Sequence, residues 1–307
     1  MPGRLLSVGN AVVDVVAAVP ALPERGGDVL AHAGAVEVGG SGFNALVAAA
    51  RQGLPAAYAG AHGTGPFGEL VRAALRSEGV EVLLPPVADA DTGFDIVVVD
   101  DGGERTFLTV AGAEARLSRE ALDGVPVLAR DAVHVSGYGL VHPVSGPAIA
   151  SWLARVPPES TVLFDPGPLV GDIPPAALDR VTARADWWSS NLREALIASG
   201  EADGRAAAVW LAGRRARRGA IVRTGPEGCI VAQRDAAPVA VPGFVVAAVD
   251  TNGAGDAHTG VFLAALARGC DPVAAARRAN AAAAIAVTRR GPGTAPTGQE
   301  LDAFLER

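Results

Sequence analysis

The sequence predicts an α/β protein in which helices cover both faces of a mostly parallel central sheet, with a small second β-sheet beside it. Short β-branched runs alternate with helical patterns rich in Ala, Leu and Arg, as expected for parallel strands joined by crossover helices. Half of the 307 residues are apolar but only 5% are aromatic, a composition typical of buried parallel strands. Ligands of such folds bind at the carboxyl ends of the strands.

The alternation is carried by short buried strands and longer amphipathic helices. The predicted strands cover residues 5–8, 57–61, 132–135, 162–164, 187–189 and 221–222. The predicted helices cover residues 43–51, 67–78, 146–155 and 256–268. A further strand is predicted to begin at Val245 and to turn through Gly253-Ala254-Gly255 into the last of these helices.

Two stretches interrupt the alternation and predict the second sheet. Residues 11–38 contain two extended segments, and residues 93–110 form a hairpin pattern around Asp100-Asp101-Gly102-Gly103. We therefore divide the chain into a main α/β domain, residues 1–10, 39–92 and 111–307, and a β-sheet lid, residues 11–38 and 93–110. A lid over a ligand and a dimerisation surface are equally compatible with this insertion, and both can hold.

The composition excludes several classes of protein. All 26 basic residues are Arg, so the Lys-dependent sites of P-loop proteins, protein kinases and pyridoxal-phosphate or Schiff-base enzymes are absent. The net charge of −7 has the wrong sign for a nucleic-acid-binding protein, which favours a small-molecule partner. With two Cys and no apolar run of about 18 residues, we expect a cytoplasmic protein that makes no membrane contact.

The turn Gly253-Ala254-Gly255 leaves backbone N–H groups uncovered at the start of a helix, where they and the helix dipole favour an anion. Asp256 follows directly, so its carboxylate lies within reach of that anion. We interpret Asp256 as a general base that accepts the proton of a hydroxyl attacking a phosphoryl group. The alternative is a helix cap.

A second candidate region precedes the helix that ends near Arg51. The glycines at 39–42 allow close approach of the backbone to a polar ligand, and Asn44 offers a donor and an acceptor to vicinal hydroxyls. A tight turn with an Asn cap explains the same residues, and is favoured when they are taken alone. Asp14, an acid inside an apolar strand, is a further hydroxyl-binding candidate whose alternative is an exposed strand face.

Residues 63–68, Gly-Thr-Gly-Pro-Phe-Gly, match the dinucleotide-binding fingerprint. We favour a simple turn and helix start, because Pro66 intrudes and the match follows an inner strand rather than the first one. None of the five His is spaced with another His or a Cys as metal ligands are. His258 lies close enough to Asp256 to touch a substrate, and a packed helix residue is an at least equally good interpretation.

These residues together resemble the ribokinase family of carbohydrate and nucleoside kinases, also called the phosphofructokinase-B type. Asp250-Thr251-Asn252-Gly253-Ala254-Gly255-Asp256 matches the family's Asp-Thr-x-Gly-Ala-Gly-Asp signature, and residues 39–44 match its N-terminal glycine signature. Three further motifs agree in order, at residues 191–194, 223–228 and 280–288. The resemblance spans almost the whole chain and implies a ribokinase-like three-layer sandwich with a β-sheet lid.

The resemblance also implies roles for individual residues. Gly253, Ala254 and Gly255 would form the anion hole for the transferring phosphate, and Asp256 would be the catalytic base. Substrate hydroxyls would be held by Asp14, Gly40 and Asn44. The ATP cofactor and its Mg²⁺ would be held by Asn191, Glu194, Arg223, Gly225, Gly228 and Asn280, with Glu194 reaching Mg²⁺ through water. A monovalent cation such as K⁺ would bind near Asp250, and the lid would form a homodimer interface.

Some positions depart from the family pattern. Val12 and Ser41 stand where ribokinases have Asn and Lys, which disfavours ribose itself. Arg223 replaces the usual Thr of the nucleotide turn, from where it could reach a phosphate. Asn252 is a variant also found in adenosine kinases, and His258 replaces a common aromatic residue, which favours a nucleoside or another furanose.

The sequence therefore predicts a Mg·ATP-dependent kinase acting on a primary hydroxyl of a small sugar, sugar derivative or nucleoside. One alternative is a non-catalytic sugar- or nucleotide-binding regulatory protein on the same fold. A nicotinamide-dependent dehydrogenase that uses residues 63–68 is the other.

Overall fold

The computed structural model describes residues 3–307, which form two β-sheets flanked by helices. The strands are β1 (Leu5–Ser7), β2 (Val12–Ala18), β3 (Ala33–Gly39), β4 (Ala56–Tyr58), β5 (Glu81–Val82), β6 (Phe94–Val99), β7 (Arg105–Val110), β8 (Ala132–Ser136), β9 (Thr161–Asp165), β10 (Trp187–Asn191), β11 (Gly219–Arg223), β12 (Gly228–Gln233) and β13 (Val239–Pro242). The helices are α1 (Ser41–Arg51), α2 (Pro66–Ser77), α3 (Arg119–Asp123), α4 (Ser145–Leu153), α5 (Pro175–Arg184), α6 (Leu192–Ser199), α7 (Gly204–Arg214), α8 (Ala254–Ala267), α9 (Pro272–Ala286) and α10 (Gly298–Leu305).

The large sheet has nine strands in the order β13-β12-β11-β10-β9-β8-β1-β4-β5. All neighbouring pairs from β11 to β5 are parallel, whereas β12 and β13 are antiparallel additions at one edge. The sheet is therefore mostly parallel, as predicted, and the six strands expected from the sequence lie within three residues of their predicted bounds.

Two apolar cores lie on opposite faces of the large sheet. On β1, Leu5 packs into a core formed with α1, α2, α8 and α9, while its neighbour Leu6 packs into a second core formed with α3 to α7. Both side chains are completely buried, because successive residues of a strand point to opposite faces. The predicted three-layer arrangement is confirmed.

The small sheet has the strand order β3-β2-β6-β7 and comes from the two stretches that interrupt the α/β alternation. β6 and β7 form the predicted antiparallel hairpin, closed by Gly103 with a φ of 80°. Its strands β2 and β6 run parallel, so β2 joins the two inserted segments into one sheet. The predicted second sheet is thus confirmed.

One predicted strand is wrong. The segment leading from Val245 to Asp250 pairs with no strand of the described residues; instead, the amides of Val249 and Asp250 both donate to the carbonyl of Val287. Val245 and Val249 are exposed, so their β-branched side chains reflect an extended loop and not a buried strand. Within residues 3–307, no helix is both long enough and apolar enough to span a bilayer.

Candidate active site

A cavity of about 700 Å³ lies between the carboxyl ends of the large sheet and the small sheet. The large sheet contributes Asp165 at the end of β9, Asn191 at the end of β10 and Arg223 at the end of β11. The small sheet contributes Asp14 and Asp95 from the opposite side. Predicted residues that line the cavity are Asp14, Gly40, Asn44, Asn191, Glu194, Arg223, Gly253, Gly255 and Asp256.

The N-terminus of α8 faces this cavity. Gly253 is the N-cap residue, with a left-handed φ of 71°, and within residues 3–307 no side chain caps the helix. A side chain at Gly253 would be strained, and its Cβ would lie 3.1 Å from Nδ2 of Asn44. The amide of Ala254 donates to the carbonyl of Thr251 at 3.4 Å, and Ala254 does not line the cavity. The amides of Gly255 and Asp256 are available to an anion, with the helix dipole adding to the attraction.

Asp256 lies in the first turn of α8, three residues after the N-cap, so the interpretation as a capping residue is wrong. Its Oδ2 accepts a hydrogen bond of 2.9 Å from Nδ2 of Asn44. Burial raises the pKa of the Asp256 carboxyl to about 6, and repulsion from Asp165 adds to this, while the hydrogen bond from Asn44 opposes it. A carboxylate with this pKa is ionised at neutral pH and is well matched to proton abstraction.

Asn44 reaches Asp256 because α1 and α8 cross at very short range. A Cβ on Gly260 of α8 would lie 2.2 Å from the carbonyl oxygen of Ala45, so only glycine permits this approach. The N-cap of α1 is Gly40, with a φ of 94°, and Asn44 lies one turn inside the helix. The alternative that Asn44 caps a turn is therefore wrong.

Arg223 lies directly beside the start of α8. Its Nη1 donates to Oδ2 of Asp165 at 2.9 Å and to Oγ of Ser189 at 2.6 Å, and its Nη2 is 3.9 Å from Oε2 of Glu194. A Cβ on Gly255 would lie 3.3 Å from Nη2. The guanidinium thus neutralises two buried carboxylates next to the first amides of α8.

Asp165 was not predicted as a site residue. It is 5% exposed and lines the cavity, and its other oxygen accepts from the amide of Gly167. The sequence did carry a signal, because an acid directly after the predicted strand 162–164 must lie at the carboxyl edge of the sheet.

Asn191 and Glu194 form a capping box at the start of α6. Both carboxylate oxygens of Glu194 accept from Asn191, at 2.9 Å from the backbone amide and 2.7 Å from Nδ2. Burial, followed by repulsion from Asp165, raises the pKa of the Glu194 carboxyl. The described residues contain no cluster of three side chains able to ligate a metal directly. Mg²⁺ fits here only through phosphates and water, the mode it commonly adopts.

Asp14 belongs to a row of polar residues that crosses the small sheet. The strand registers place Glu37 beside Asp14, Asp14 beside Asp95, and Asp95 beside Thr109. Burial raises the pKa of the Asp14 carboxyl to about 6, with repulsion from Asp95 and Glu37 adding and a hydrogen bond from Asn252 opposing. The alternative of an exposed strand face is wrong, since Asp14 is 5% exposed and lines the cavity.

Three predicted nucleotide-binding residues do not line the cavity. Gly225 and Gly228 form the turn between β11 and β12, with φ values of 70° and 106°. Asn280 is buried, and its Nδ2 donates to the carbonyls of Val241 and Pro242. Because its Oδ1 lies 3.2 Å from Nε2 of His258, the Asn280 amide is fully used inside the protein.

His258 does not reach the cavity. It is 2% exposed, and burial lowers the pKa of its imidazole to about 3, so the ring is neutral at physiological pH. Its contact with Asn280 instead connects α8 to α9. The interpretation of His258 as a packed helix residue therefore agrees with the structure, and contact with a substrate does not.

At the dinucleotide fingerprint, residues 63–68, the N-terminus of α2 is capped by a side chain of the protein itself. Asp91 accepts from the amides of Phe67 and Gly68, at 3.1 and 2.8 Å, and thereby takes the anion position at the start of α2. Thr92 Oγ1 accepts from the amide of Gly63 at 2.9 Å. This excludes a pyrophosphate from that helix N-terminus and confirms the interpretation as a turn.

Comparison with known proteins identifies the family. A model of the pfkB family of carbohydrate kinases matches residues 3–298. The chain belongs to this family. The predicted resemblance and the kinase class are therefore confirmed.

Similar proteins agree with this membership in the pfkB family. The chain is 36% identical to the uncharacterized sugar kinase YegV of Escherichia coli, over 97% of the chain and 92% of that protein. It is 33% identical to the ATP-dependent ribose-1-phosphate kinase of Halopiger xanaduensis, over 98% of both. The crystal structure of a ribokinase from Thermotoga maritima superposes with a TM-score of 0.86 at 26% identity, covering 99% of each chain.

Proposed function

We propose that this pfkB-family protein transfers the γ-phosphoryl group of Mg·ATP to a hydroxyl of an uncharged sugar or nucleoside. The observation that carries the proposal is the placement of Asp256, whose carboxylate lies in the first turn of an uncapped helix that faces the cavity. A base and an anion site so close together suit the deprotonation of a hydroxyl as it attacks a phosphate. The ATP dependence named for the H. xanaduensis relative supports ATP as the donor.

In the proposed mechanism, Asp256 accepts the proton of the acceptor hydroxyl. The amides of Gly255 and Asp256 bind the oxygens of the transferring phosphoryl group, and Arg223 adds positive charge on the same side. Bound Mg²⁺ would supply charge neutralisation on the phosphates, and Glu194, oriented by Asn191, would hold it through water. The cavity lies at the strand ends where such transfers are expected in open α/β sheets.

The nucleotide would lie beside the turn between β11 and β12. The turn containing Gly225 and Gly228 would contact the nucleotide through its backbone. Asn280 would contribute only by fixing α9 against β13, because its side-chain amide is already used there.

The acceptor end favours an uncharged substrate. Asp14 and Asp95 line the cavity there, and Glu37 continues the same row of carboxylates. Carboxylates accept hydrogen bonds from sugar hydroxyls but repel phosphate or carboxylate groups. We therefore propose a neutral polyol held by Asp14, Gly40 and Asn44, in contrast to the sugar phosphate named for the H. xanaduensis relative.

The small sheet is proposed to act as a lid and as the interface of a homodimer. Its inner face carries cavity-lining residues, and closure over the substrate would exclude water from the phosphoryl transfer. Its outer face carries an apolar row formed by the exposed Val36, Ile96 and Leu108 in β3, β6 and β7, with the half-buried Val15 of β2 between Val36 and Ile96. A second copy of the chain would cover this row.

A non-catalytic regulatory protein is not favoured. Such a protein has no use for a carboxylate with a raised pKa beside an anion site, and Asp256 with its partner Asn44 is retained.

The test is ADP release from Mg·ATP across a panel of pentoses, hexoses, sugar phosphates and nucleosides. We expect release with a neutral acceptor and a loss of about 10³-fold or more in kcat for Asp256→Asn, because the transition state loses its base. Asp203→Asn is the matched control, since Asp203 caps α7 outside the cavity and Asn caps equally well. Normal turnover in Asp256→Asn would show that Asp256 is not the general base. Turnover with sugar phosphates alone would show that the acceptor is not an uncharged molecule.

A further inference from the structure

The carboxylate of Asp250, at the start of the loop that leads into α8, is held by three donors. Its Oδ2 accepts from Nη2 of Arg105 at 2.6 Å and from the amide of Gly291 at 2.9 Å. Its Oδ1 accepts from the amide of Asn252 at 2.9 Å. The Asp250 side chain is 5% exposed, so these contacts lie in the protein interior.

Arg105 comes from a distant part of the molecule. It is the first residue of β7 in the small sheet, 145 residues from Asp250 along the chain. It lies two and four residues from Phe107 and Thr109, which both line the cavity, so its side chain starts from the same face of the sheet. The ion pair is therefore a direct connection between the lid and the loop of the anion hole.

A buried carboxylate requires a compensating positive charge, because an unpaired charge in the interior is costly. Arg105 supplies that charge, and its guanidinium together with two amides engages both oxygens of Asp250. A monovalent cation that bound Oδ2 of this carboxylate would have to displace Arg105. The K⁺ expected near Asp250 thus does not fit the arrangement of these residues.

We propose that Arg105 is the built-in cation of this enzyme: its guanidinium neutralises Asp250, fixes the loop that presents Gly253, and makes turnover independent of added K⁺. Arg105 is accordingly a positioning residue that acts through Asp250 on the anion hole. The turnover part of this proposal rests on the proposed kinase function, whereas the cation part concerns the folded protein alone.

Asp250 connects Arg105 to the turn that begins α8. Asp250 orients the amide of Asn252, which immediately precedes the left-handed Gly253. Without Arg105, the Asp250 carboxylate would need another cation or would move from its present position. The amides of the anion hole would then move with the carboxylate. The same guanidinium also favours the ionised form of Asp14, so its loss weakens acceptor binding as well.

The experiment compares the wild-type protein with Arg105→Ala, Arg105→Lys and Arg278→Ala. Arg278 is the matched control, because it is similarly exposed, at 23% against 26%, and forms an ion pair of the same 2.6 Å length, with Asp302, away from the cavity. The first readout is the melting temperature in KCl or choline chloride at equal ionic strength, about 0.1 M, which detects a bound cation without any turnover. The second readout is kcat and KM in the same salts.

For the wild type we expect equal melting temperatures in the two salts and kcat values that agree within about twofold. For Arg105→Ala we expect kcat to fall about tenfold or more, with partial recovery by K⁺ or by about 10 mM guanidinium, and Arg105→Lys to lose less. Arg278→Ala should behave like the wild type.

Three results would overturn the proposal. One is a K⁺-specific rise in the melting temperature or kcat of the wild type. Another is an Arg105→Ala variant that matches Arg278→Ala. The third is a loss in Arg105→Ala that no monovalent cation relieves. If the wild type phosphorylates no acceptor, the proposed function fails, while the melting temperatures still decide whether a cation binds.

Discussion

Asp256 and Asp14 are two cavity carboxyl groups whose pKa is raised to about 6 by burial, so both change charge just below neutral pH. They have different neighbours: Asp256 is held by Asn44 and repelled by Asp165, whereas Asp14 is repelled by Asp95. In the proposed mechanism each acts in its ionised form, Asp256 to accept a proton and Asp14 to accept hydrogen bonds from hydroxyls.

From these two carboxyl groups we therefore predict an acid limb in the pH profile. Because the protonated forms are inactive, kcat/KM should rise with pH through about 6, with a slope of at least one, and level off above about pH 7. Steady-state kinetics between pH 4.5 and 8.5 measure this, and Asp14→Asn should leave only the limb due to Asp256. A flat profile down to about pH 4.5 would contradict the raised pKa values.

Single residues of the site were predictable where chemistry and spacing coincide locally. Asp256, Gly253 and Asn44 follow from glycine turns that open helices, and the cavity brings all three together. Two other contacts were not predictable: the capping of α2 by Asp91 and the ion pair of Arg105 with Asp250. In each case the partners are distant in sequence, by 24 residues and by 145 residues. No local pattern encodes which distant acid will fill a helix terminus.

Among the elements, the crossing of α1 and α8 sets the distance between Asn44 and Asp256. Gly260 allows the crossing, since any Cβ there would overlap the backbone of Ala45 and approach Cβ of Ala48 to 2.7 Å. The helices pack at the spacing of their backbones, which small residues make possible. The site thus depends on a residue that touches no ligand.

At this scale we predict opposite effects of two helix glycine substitutions. Gly260→Ala should destabilise the fold by about 1–3 kcal/mol through overpacking, and lower kcat/KM because α1 is pushed from α8. Gly213→Ala in α7, where a Cβ meets no atom within 4 Å, should stabilise the fold by about 0.5–1 kcal/mol and leave kcat/KM unchanged. Urea unfolding and kinetics measure both. If Gly260→Ala and Gly213→Ala changed the free energy of unfolding and kcat/KM equally, the crossing of α1 and α8 would not be what positions Asn44.

Most elements were predictable because their apolar patterns match their burial. The strands with continuous apolar runs are buried on both faces, as β8 and β9 illustrate. The segment after Val245 has the same composition but is exposed, because no strand within residues 3–307 pairs with it. β-branched residues indicate an extended backbone, and only the tertiary fold decides whether that backbone joins a sheet.

On the scale of the whole molecule, the small sheet has two faces of opposite character. The inner face carries carboxylates toward the cavity, and the outer face exposes Val36, Ile96 and Leu108. The exposed fractions of Val36 and Leu108 are 58% and 57%. Such a continuous apolar row on a sheet with open edges favours association with another copy.

We predict a dimer in solution that Leu108→Glu converts to a monomer, because a charge in the apolar interface is not compensated. Val209→Glu is the matched control, since Val209 is 49% exposed on α7, outside the small sheet. Light scattering after size-exclusion chromatography measures the mass. A monomeric wild type, or a dimer that persists in Leu108→Glu, would contradict this interface.

The fold as a whole was predictable because the alternation of strands and helices determines a parallel sheet with two covered faces. The face of the small sheet that points toward the cavity was not predictable, since the inserted segments carry no signal for which of their faces lies inside. The register that aligns Glu37, Asp14 and Asp95 becomes visible only in the structure.

That row of carboxylates has a thermodynamic consequence for substrate capture. Near pH 6 the free enzyme holds a fraction of a proton on Asp14, and in the proposed complex the hydroxyl donors of a sugar stabilise the ionised form. We therefore expect binding of a neutral sugar to release protons to the solvent, so that the calorimetric heat of binding varies with the ionisation enthalpy of the buffer. The affinity for a molecule with no net charge should then increase with pH between about 5 and 7.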